Sequence, residues 1–134
     1  MKPHNICEWY EDKIKYPLND ISIGDGGHVY LFYNKNTRLY KIGISHNYVS
    51  RLKQLIAQSG CEIKNVITLE LESGYDERRD IIESSLHEYF AENRKKGEWF
   101  NFNVKDLIAI ENLFYKIGGQ YIYGSLKKHF GLKQ

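Results

Sequence analysis

Hydrophobic and polar residues follow patterns along the chain that first predict a β-hairpin. The stretch from His28 to Tyr33 is rich in β-branched and aromatic residues, and Arg38 to Ile44 has the same character. Between them, Asn34-Lys35-Asn36-Thr37 is typical of a turn. These two segments therefore predict antiparallel strands joined by a tight connection.

Two later segments carry apolar residues at helical spacing. The first opens at Ser45-His46-Asn47, where Ser45 or Asn47 can cap the helix, and it ends at Ser59-Gly60. The second covers 76–93 and is the clearest helical pattern in the chain. Their apolar stripes are Tyr48, Leu52, Leu55 and Ile56 in the first, and Ile82, Leu86, Tyr89 and Phe90 in the second.

The remaining segments complete an α/β arrangement of the α+β type. Ile63 to Leu71 predicts a third strand, and 98–102 a short strand or extended segment. Asn103 and Asp106 form a capping pair for a helix over 104–117, and a last short helix is expected at 120–130. The pattern predicts a small mixed three-stranded sheet flanked by helices, with extra C-terminal helices.

The length of 134 residues corresponds to one domain with one modest core. We divide it into an N-terminal leader (1–27), a core (28–103) and a basic C-terminal helical extension (104–134). The first residues lack the apolar run of a signal peptide, and no stretch reaches membrane-spanning length, so we expect a cytoplasmic protein without membrane contact. Two cysteines do not make a disulfide framework. His4 and Cys7 have a spacing that zinc can use, but no second ligand pair follows.

Net charge is only +2, which neither requires nor excludes nucleic acid, but the distribution of charge is uneven. The leader holds three Lys/Arg against five Asp/Glu, and the C-terminal extension five against two. Two basic runs can hold phosphates or simply be solvated, namely Arg94, Lys95 and Lys96, and the terminal cluster of Lys127, Lys128, His129 and Lys133. Tyr121 and Tyr123 precede the second run and are candidates for substrate contact.

Several polar residues converge if the hairpin and the two helices are considered together. Alternation along the second strand puts Lys41 and Gly43 on one face and Tyr40 on the other. We expect Lys41 to lie on the same face of the sheet as Tyr30. Gly43 leaves the backbone uncovered, so an anion could approach there. Arg51 borders the apolar stripe of the first helix. Glu83 borders that of the second, with His87 one turn further on.

Ordered motifs here resemble the GIY-YIG nuclease superfamily. They are His28-Val29-Tyr30-Leu31, Tyr40-Lys41-Ile42-Gly43-Ile44-Ser45, Arg51-Leu52, the helix around Glu83, and Gly97-Glu98-Trp99-Phe100. The match is greatest to a phage and bacterial branch whose second motif reads KIG and whose core closes with GEWF. His28 replaces the family's glycine, and Lys41 stands where the wider superfamily has its second tyrosine.

The resemblance implies an endonuclease that hydrolyses phosphodiester bonds in DNA with one divalent cation. Glu83 would hold Mg²⁺ or Mn²⁺, and Arg51 would brace the phosphate. Tyr30 would position or deprotonate the attacking water, and Lys41 would bind phosphate or share the base role. Such a protein would come from a phage, a mobile element or a bacterial defence system. A homodimer or a protein partner could supply specificity.

Each assignment has a structural alternative. Tyr30 could be a packing residue, and Arg51 a solvated helix charge. Arg79, Glu83 and His87 could form a surface ladder of charges. His87 could instead bond a backbone carbonyl, and His46 could face solvent or contact substrate. At the level of the whole protein, the alternatives are a catalytically inactive nucleic-acid-binding module and a protein-interaction module on the same fold.

Overall fold

The computed structural model describes residues 5–15, 24–74 and 78–132. The strands are β1 (Asp25–Asn34), β2 (Leu39–Ser45), β3 (Ile63–Ser73), β4 (Arg94–Lys96), β5 (Trp99–Phe100) and β6 (Tyr121–Gly124). The helices are α1 (Ile6–Lys15), α2 (Tyr48–Ser59), α3 (Arg79–Tyr89), α4 (Val104–Ile117) and α5 (Leu126–His129), with a 3-10 turn at Ala91–Asn93. His4 and Lys133 lie outside the described residues, as do the first residues of the helix predicted over 76–93.

The strands form one sheet in the order β4-β5-β2-β1-β3-β6, and each strand pair is antiparallel. The predicted α+β class, a sheet flanked by helices, is confirmed. The expected count of three strands is wrong, as is the expected mixture of strand directions. The additional strands, β4, β5 and β6, extend the sheet at its two sides. Each is only two to four residues long, which is too short to give a clear strand pattern in the sequence.

The two faces of the sheet carry different layers. Val29, Leu31 and Ile42 face the main core, which α3, α4 and the described part of α1 cover. The other face holds Tyr30 and Phe32 under α2, whose Tyr48, Leu52 and Leu55 pack against them. Tyr40 lies in the main core, so its predicted orientation away from the Lys41 face is confirmed.

The ends of α2 follow the predicted helix signals. Asn47 is the N-cap, and its side-chain oxygen accepts a hydrogen bond from the Ser50 amide at 3.2 Å. At the other end, Gly60 adopts a left-handed backbone with φ of 67°, which a residue without Cβ adopts at little cost. Ser45 does not cap the helix; its hydroxyl bonds the backbone of Asn47.

The leader is more ordered than its sequence pattern indicates, because it contains α1. Ile6 and Tyr10 are buried at i, i+4 spacing, and α1 packs against α4. An ion pair between Lys116 and Glu11 at 2.8 Å spans the two helices. Two residues at helical spacing are a weak signal, so the pattern alone did not distinguish a helix from a loop.

The C-terminal part confirms one predicted helix and corrects the other. The capping box of Asn103 and Asp106 starts α4 as expected. The helix predicted at 120–130 is wrong over its first half, where β6 pairs with β3 and only Leu126–His129 is helical. The alternation Tyr-Ile-Tyr suits a strand, and Gly124 then turns the chain with φ of 93°.

No helix among residues 5–15, 24–74 and 78–132 combines the length and apolar character needed to span a membrane.

Candidate active site

Tyr30 and Gly43 face each other across the central hairpin and form the floor of the candidate site. Their Cα atoms are register partners, and a Cβ built on Gly43 would lie 2.3 Å from both Cζ and the hydroxyl of Tyr30. The expectation that Gly43 leaves the backbone open to an anion is therefore wrong, since the ring of Tyr30 fills that space. Gly43 instead makes room for this ring, which stacks on Phe32 with centroids 4.0 Å apart.

Lys41 lies on the same sheet face as Tyr30, as the alternation predicted. Phe32 and Lys41 are register partners two residues along from Tyr30 and Gly43. The Lys41 ammonium donates to the Glu98 carboxylate at 2.6 Å and lies 5.6 Å from the centroid of the Trp99 ring. The Lys41 side chain is only 13% exposed, and this pair fixes the ammonium beside β5, the strand that pairs with β2 at Lys41.

Glu98 reaches Lys41 because of the hairpin formed by β4 and β5. Gly97 turns the chain there with φ of 56°, and β5 then pairs with β2. Burial acts to raise the pKa of Glu98, but the hydrogen bond from Lys41 and the positive charges of Lys41 and Arg51 outweigh it and lower the pKa. Glu98 is thus held as a carboxylate.

Glu83 is a half-buried carboxylate of α3 without a close counter-ion. Burial raises its pKa, the charge of Glu98 adds to this rise, and His87 and Lys41 oppose it. Among the described residues, Glu83 has no hydrogen-bond or ion-pair partner. The surface ladder from Arg79 does not form, because Arg79 bonds Asp25 at 3.3 Å and His46 at 2.9 Å instead.

His87 anchors α3 to the edge of β2. Its Nε2–H donates to the Ile42 carbonyl at 2.9 Å, so Nδ1 is the acceptor that faces the Arg94 guanidinium at 3.4 Å. This is the backbone-bonded role that the sequence left open. His87 also acts to lower the pKa of Glu83, which lies one turn earlier on the helix.

The pKa of the Tyr30 hydroxyl depends on several charged residues of the candidate site. Burial raises the pKa of its hydroxyl to about 12, with Arg51 opposing the shift and Glu98 and Glu83 adding to it. At neutral pH the hydroxyl therefore keeps its proton and can donate a hydrogen bond. Arg51, Glu83 and Glu98 all act on the pKa of Tyr30, and Lys41 acts on that of Glu83. Of these residues, only Glu98 was not predicted as a site residue from the sequence.

His46 is exposed, and its Nε2 accepts a hydrogen bond from Arg79, one turn before Glu83 on α3. Arg79 also bonds Asp25 at the start of β1, so His46 has a structural partner. Its proposed supporting role stays a prediction.

The two basic runs lie in different places. Arg94, Lys95 and Lys96 are exposed along β4, the edge strand of the hairpin that carries Glu98. Lys127 and Lys128 are exposed on α5, which packs through His129 against Tyr33 and Tyr40 on the opposite sheet face. Only the first run adjoins the candidate site, and nucleic-acid binding by either run stays a prediction.

A second polar cluster was missed on the α2 side of the sheet. His28 accepts the Tyr48 amide at 3.0 Å through Nδ1, so its Nε2–H is the donor to Glu70 at 3.0 Å. Tyr123 donates its hydroxyl to the same Glu70 oxygen at 3.0 Å. His28, at the family's glycine position, therefore ties the first amide of α2 to β3 and β6. Only the cross-strand register could have revealed this.

No group of three or more His, Cys, Asp or Glu residues that could hold a metal ion occurs in the described parts of the chain. His4 is outside those parts, and Cys7 and Cys61 are free thiols. A metal held here by protein ligands would therefore depend on one or two carboxylates, with water completing the shell.

Comparison with known proteins identifies the family. The model of the T5orf172 domain matches residues 27–115, which is well over half of the chain. The chain therefore belongs to the T5orf172 domain family, a phage-associated family that is loosely linked to nucleases. No curated protein and no solved structure matches the chain significantly. The match includes the hairpin, α2, α3 and the Glu98 hairpin, and excludes α1, β6 and α5.

Proposed function

We propose that this chain is a divalent-metal-dependent endonuclease that hydrolyses phosphodiester bonds in DNA. The observation that carries the proposal is Glu83, a half-buried carboxylate whose pKa is raised by burial and which has no close counter-ion within the described residues. Such a group is costly to keep ionised unless a cation neutralises it. Its surroundings of Tyr30, Arg51 and Lys41 supply the other groups that phosphodiester hydrolysis needs.

The residues present fit Mg²⁺ or Mn²⁺. Glu83 would hold the ion through its carboxylate oxygens, the ligand type that these hard cations prefer. A bound ion of this kind would neutralise charge on the phosphate and favour ionisation of a bound water. Glu98 is engaged by Lys41, so Glu83 is the carboxylate left available.

The other side chains have distinct tasks. Arg51 is exposed, and no hydrogen bond or ion pair occupies its guanidinium in the described structure, so its planar donors can bind phosphate oxygens. Tyr30, with a pKa of about 12, keeps its proton and orients the attacking water or the phosphate rather than acting as a strong base. Lys41, held beside Glu98, supplies positive charge.

The choice of DNA rests on family membership and on charge. The T5orf172 domain is phage-associated, and the resemblance to GIY-YIG nucleases with KIG and GEWF motifs implies DNA cleavage. The exposed run Arg94–Lys96 lies beside the site and can hold the phosphate backbone. A cytoplasmic phage or bacterial protein, acting alone, as a homodimer or with a protein partner, fits this proposal.

The decisive experiment is cleavage of radiolabelled single- and double-stranded DNA in Mg²⁺ or Mn²⁺, with Glu83→Gln and a matched control. Glu92→Gln removes an exposed carboxylate just after α3 and should cleave like wild type. We expect Glu83→Gln to abolish cleavage while DNA affinity stays equal or rises, because one negative charge is lost. Full activity in Glu83→Gln, or undiminished cleavage in excess chelator, would refute the proposal.

Thermal denaturation separates lost chemistry from lost folding. A carboxyl whose pKa is raised in the folded state is destabilising when ionised, so at neutral pH the neutral glutamine should keep or raise the melting temperature. DNA binding without cleavage in wild type would instead favour the alternative, a catalytically inactive nucleic-acid-binding module.

A further inference from the structure

We propose that Glu98 is a positioning residue that holds the Lys41 side chain in place as a phosphate ligand in the active site. The inference rests on the proposed nuclease function and adds a residue and a role to it. Lys41 and Glu98 are 2.6 Å apart, and the lysine side chain is 13% exposed while the carboxylate is 47% exposed. The lysine side chain is therefore largely buried, whereas the carboxylate side chain is partly exposed to solvent.

Local geometry restricts the Lys41 ammonium to this position. Lys41 and Trp99 are register partners in β2 and β5, and the indole ring lies under the ammonium at 5.6 Å. The turn at Gly97 aims Glu98 at the same ammonium from the next residue of the hairpin. A flexible lysine is thus held by a ring on one side and a carboxylate on the other.

The Glu98 carboxylate accepts a charge-assisted hydrogen bond from the Lys41 ammonium, and this bond fixes the position of the ammonium. Lys41 therefore acts as a phosphate ligand, and Glu98 determines where its positive charge lies. Placement matters because a displacement of about 1 Å in a catalytic group can cost about 100-fold in rate.

The test is a double-mutant cycle with Lys41→Met, Glu98→Gln and the combination, measured as kcat and KM for DNA cleavage. We expect Glu98→Gln to lower kcat by about 10- to 100-fold. Adding it to Lys41→Met should cause no further loss, because Glu98 acts through Lys41. Losses that multiply in the double variant would mean that Glu98 acts independently, and wild-type kcat in Glu98→Gln would equally overturn the proposal.

Two further variants exclude a merely structural role. Glu62→Gln is the matched control, since Glu62 is also paired with a lysine, Lys35, at 3.2 Å on the distant hairpin turn. It should leave kcat unchanged, and Glu98→Asp should recover part of the activity. Failure of Glu98→Asp to recover any activity would contradict the proposed role.

An NMR measurement on the free protein tests the pairing without any cleavage. The ammonium protons of Lys41 should exchange slowly with water in wild type, and this protected signal should be absent from Lys41→Met and Glu98→Gln. If the wild-type protein shows this signal but does not cleave DNA, the nuclease proposal is refuted and the Lys41–Glu98 pairing still holds. Absence of the signal in wild type would refute the pairing itself.

Discussion

Gly43→Ala tests the floor of the candidate site directly. Gly43 is not among the glycines with positive φ, so its backbone accepts alanine, and the cost of the new methyl group arises from Tyr30 alone. The added Cβ would lie 2.3 Å from the ring, which must retreat by about 1.1 Å to reach the 3.4 Å of ordinary contact. Tyr30 is buried and stacked on Phe32 at 4.0 Å, so this retreat disturbs packed neighbours.

The expected cost of this change is that of overpacking a core, about 1–3 kcal/mol. For a domain of this size, that lowers the melting temperature by about 3–10 °C. The same displacement moves the Tyr30 hydroxyl, so cleavage should fall by about 100-fold, beyond what partial unfolding explains.

A cycle with Tyr30 assigns the cost to the ring. Circular dichroism melts of Gly43→Ala should show the full loss in wild type and in Tyr30→Phe, which keeps the ring. In Tyr30→Ala the methyl group has room, so Gly43→Ala should then cost close to nothing. A wild-type melting temperature and cleavage rate in Gly43→Ala would refute the proposed contact, and an equal cost in all three backgrounds would place its cause elsewhere.

Further changes test the charges and rings around the site. Lys41→Arg keeps a charge that binds phosphate, so its cleavage rate should stay within about tenfold of wild type, whereas that of Lys41→Met should fall by about 100-fold or more. An inactive Lys41→Arg in the same assay would instead favour a role of Lys41 as the base. Tyr121→Ala should weaken single-stranded DNA binding by about 5- to 100-fold if its exposed ring stacks on a base. Tyr115→Ala, at an equally exposed tyrosine of α4, is the control, and equal affinities of the two variants by fluorescence anisotropy would contradict the contact. Burial lowers the pKa of His129 to about 4, so the unfolded chain takes up the proton first and stability is lost as pH falls from about 6.5 towards 4. Melting temperatures of His129→Gln should fall less over that pH range, and an identical slope would show that another group is responsible.

Sequence patterns were sufficient for the elements with strong local signals. The hairpin, α2 with its Asn47 cap and Gly60 end, and the capping box of α4 all form where expected. The alternation of strand residues also put Lys41 and Tyr30 on one face, because a period of two depends only on the strand itself. Local chemistry decides these features, so one sequence reveals them.

The missed features depend on contacts between distant segments. β6 is a strand because Tyr121–Gly124 pairs with β3, more than fifty residues earlier, and four residues alone carry too weak a signal. The motif Gly97-Glu98-Trp99-Phe100 was recognised in the sequence, but the contact of Glu98 with Lys41 depends on the pairing of β5 with β2. Gly43 was interpreted as open backbone because the sequence does not say which side chain fills the space opposite a glycine.

The short length of β5 explains why the candidate site forms where it does. β5 pairs with β2 only at Tyr40 and Lys41, so the Ile42 carbonyl lies beyond the end of this ladder and accepts the hydrogen bond from His87. That bond brings α3, which covers the core face, to the exposed edge of β2. Glu83, one turn before His87, is then close enough for Lys41 and Glu98 to act on its pKa, although those residues belong to the other face and the neighbouring hairpin. A longer β5 would take up the Ile42 carbonyl and separate the carboxylate from the lysine. The end of a strand ladder therefore brings groups from both faces of the sheet together at the candidate site.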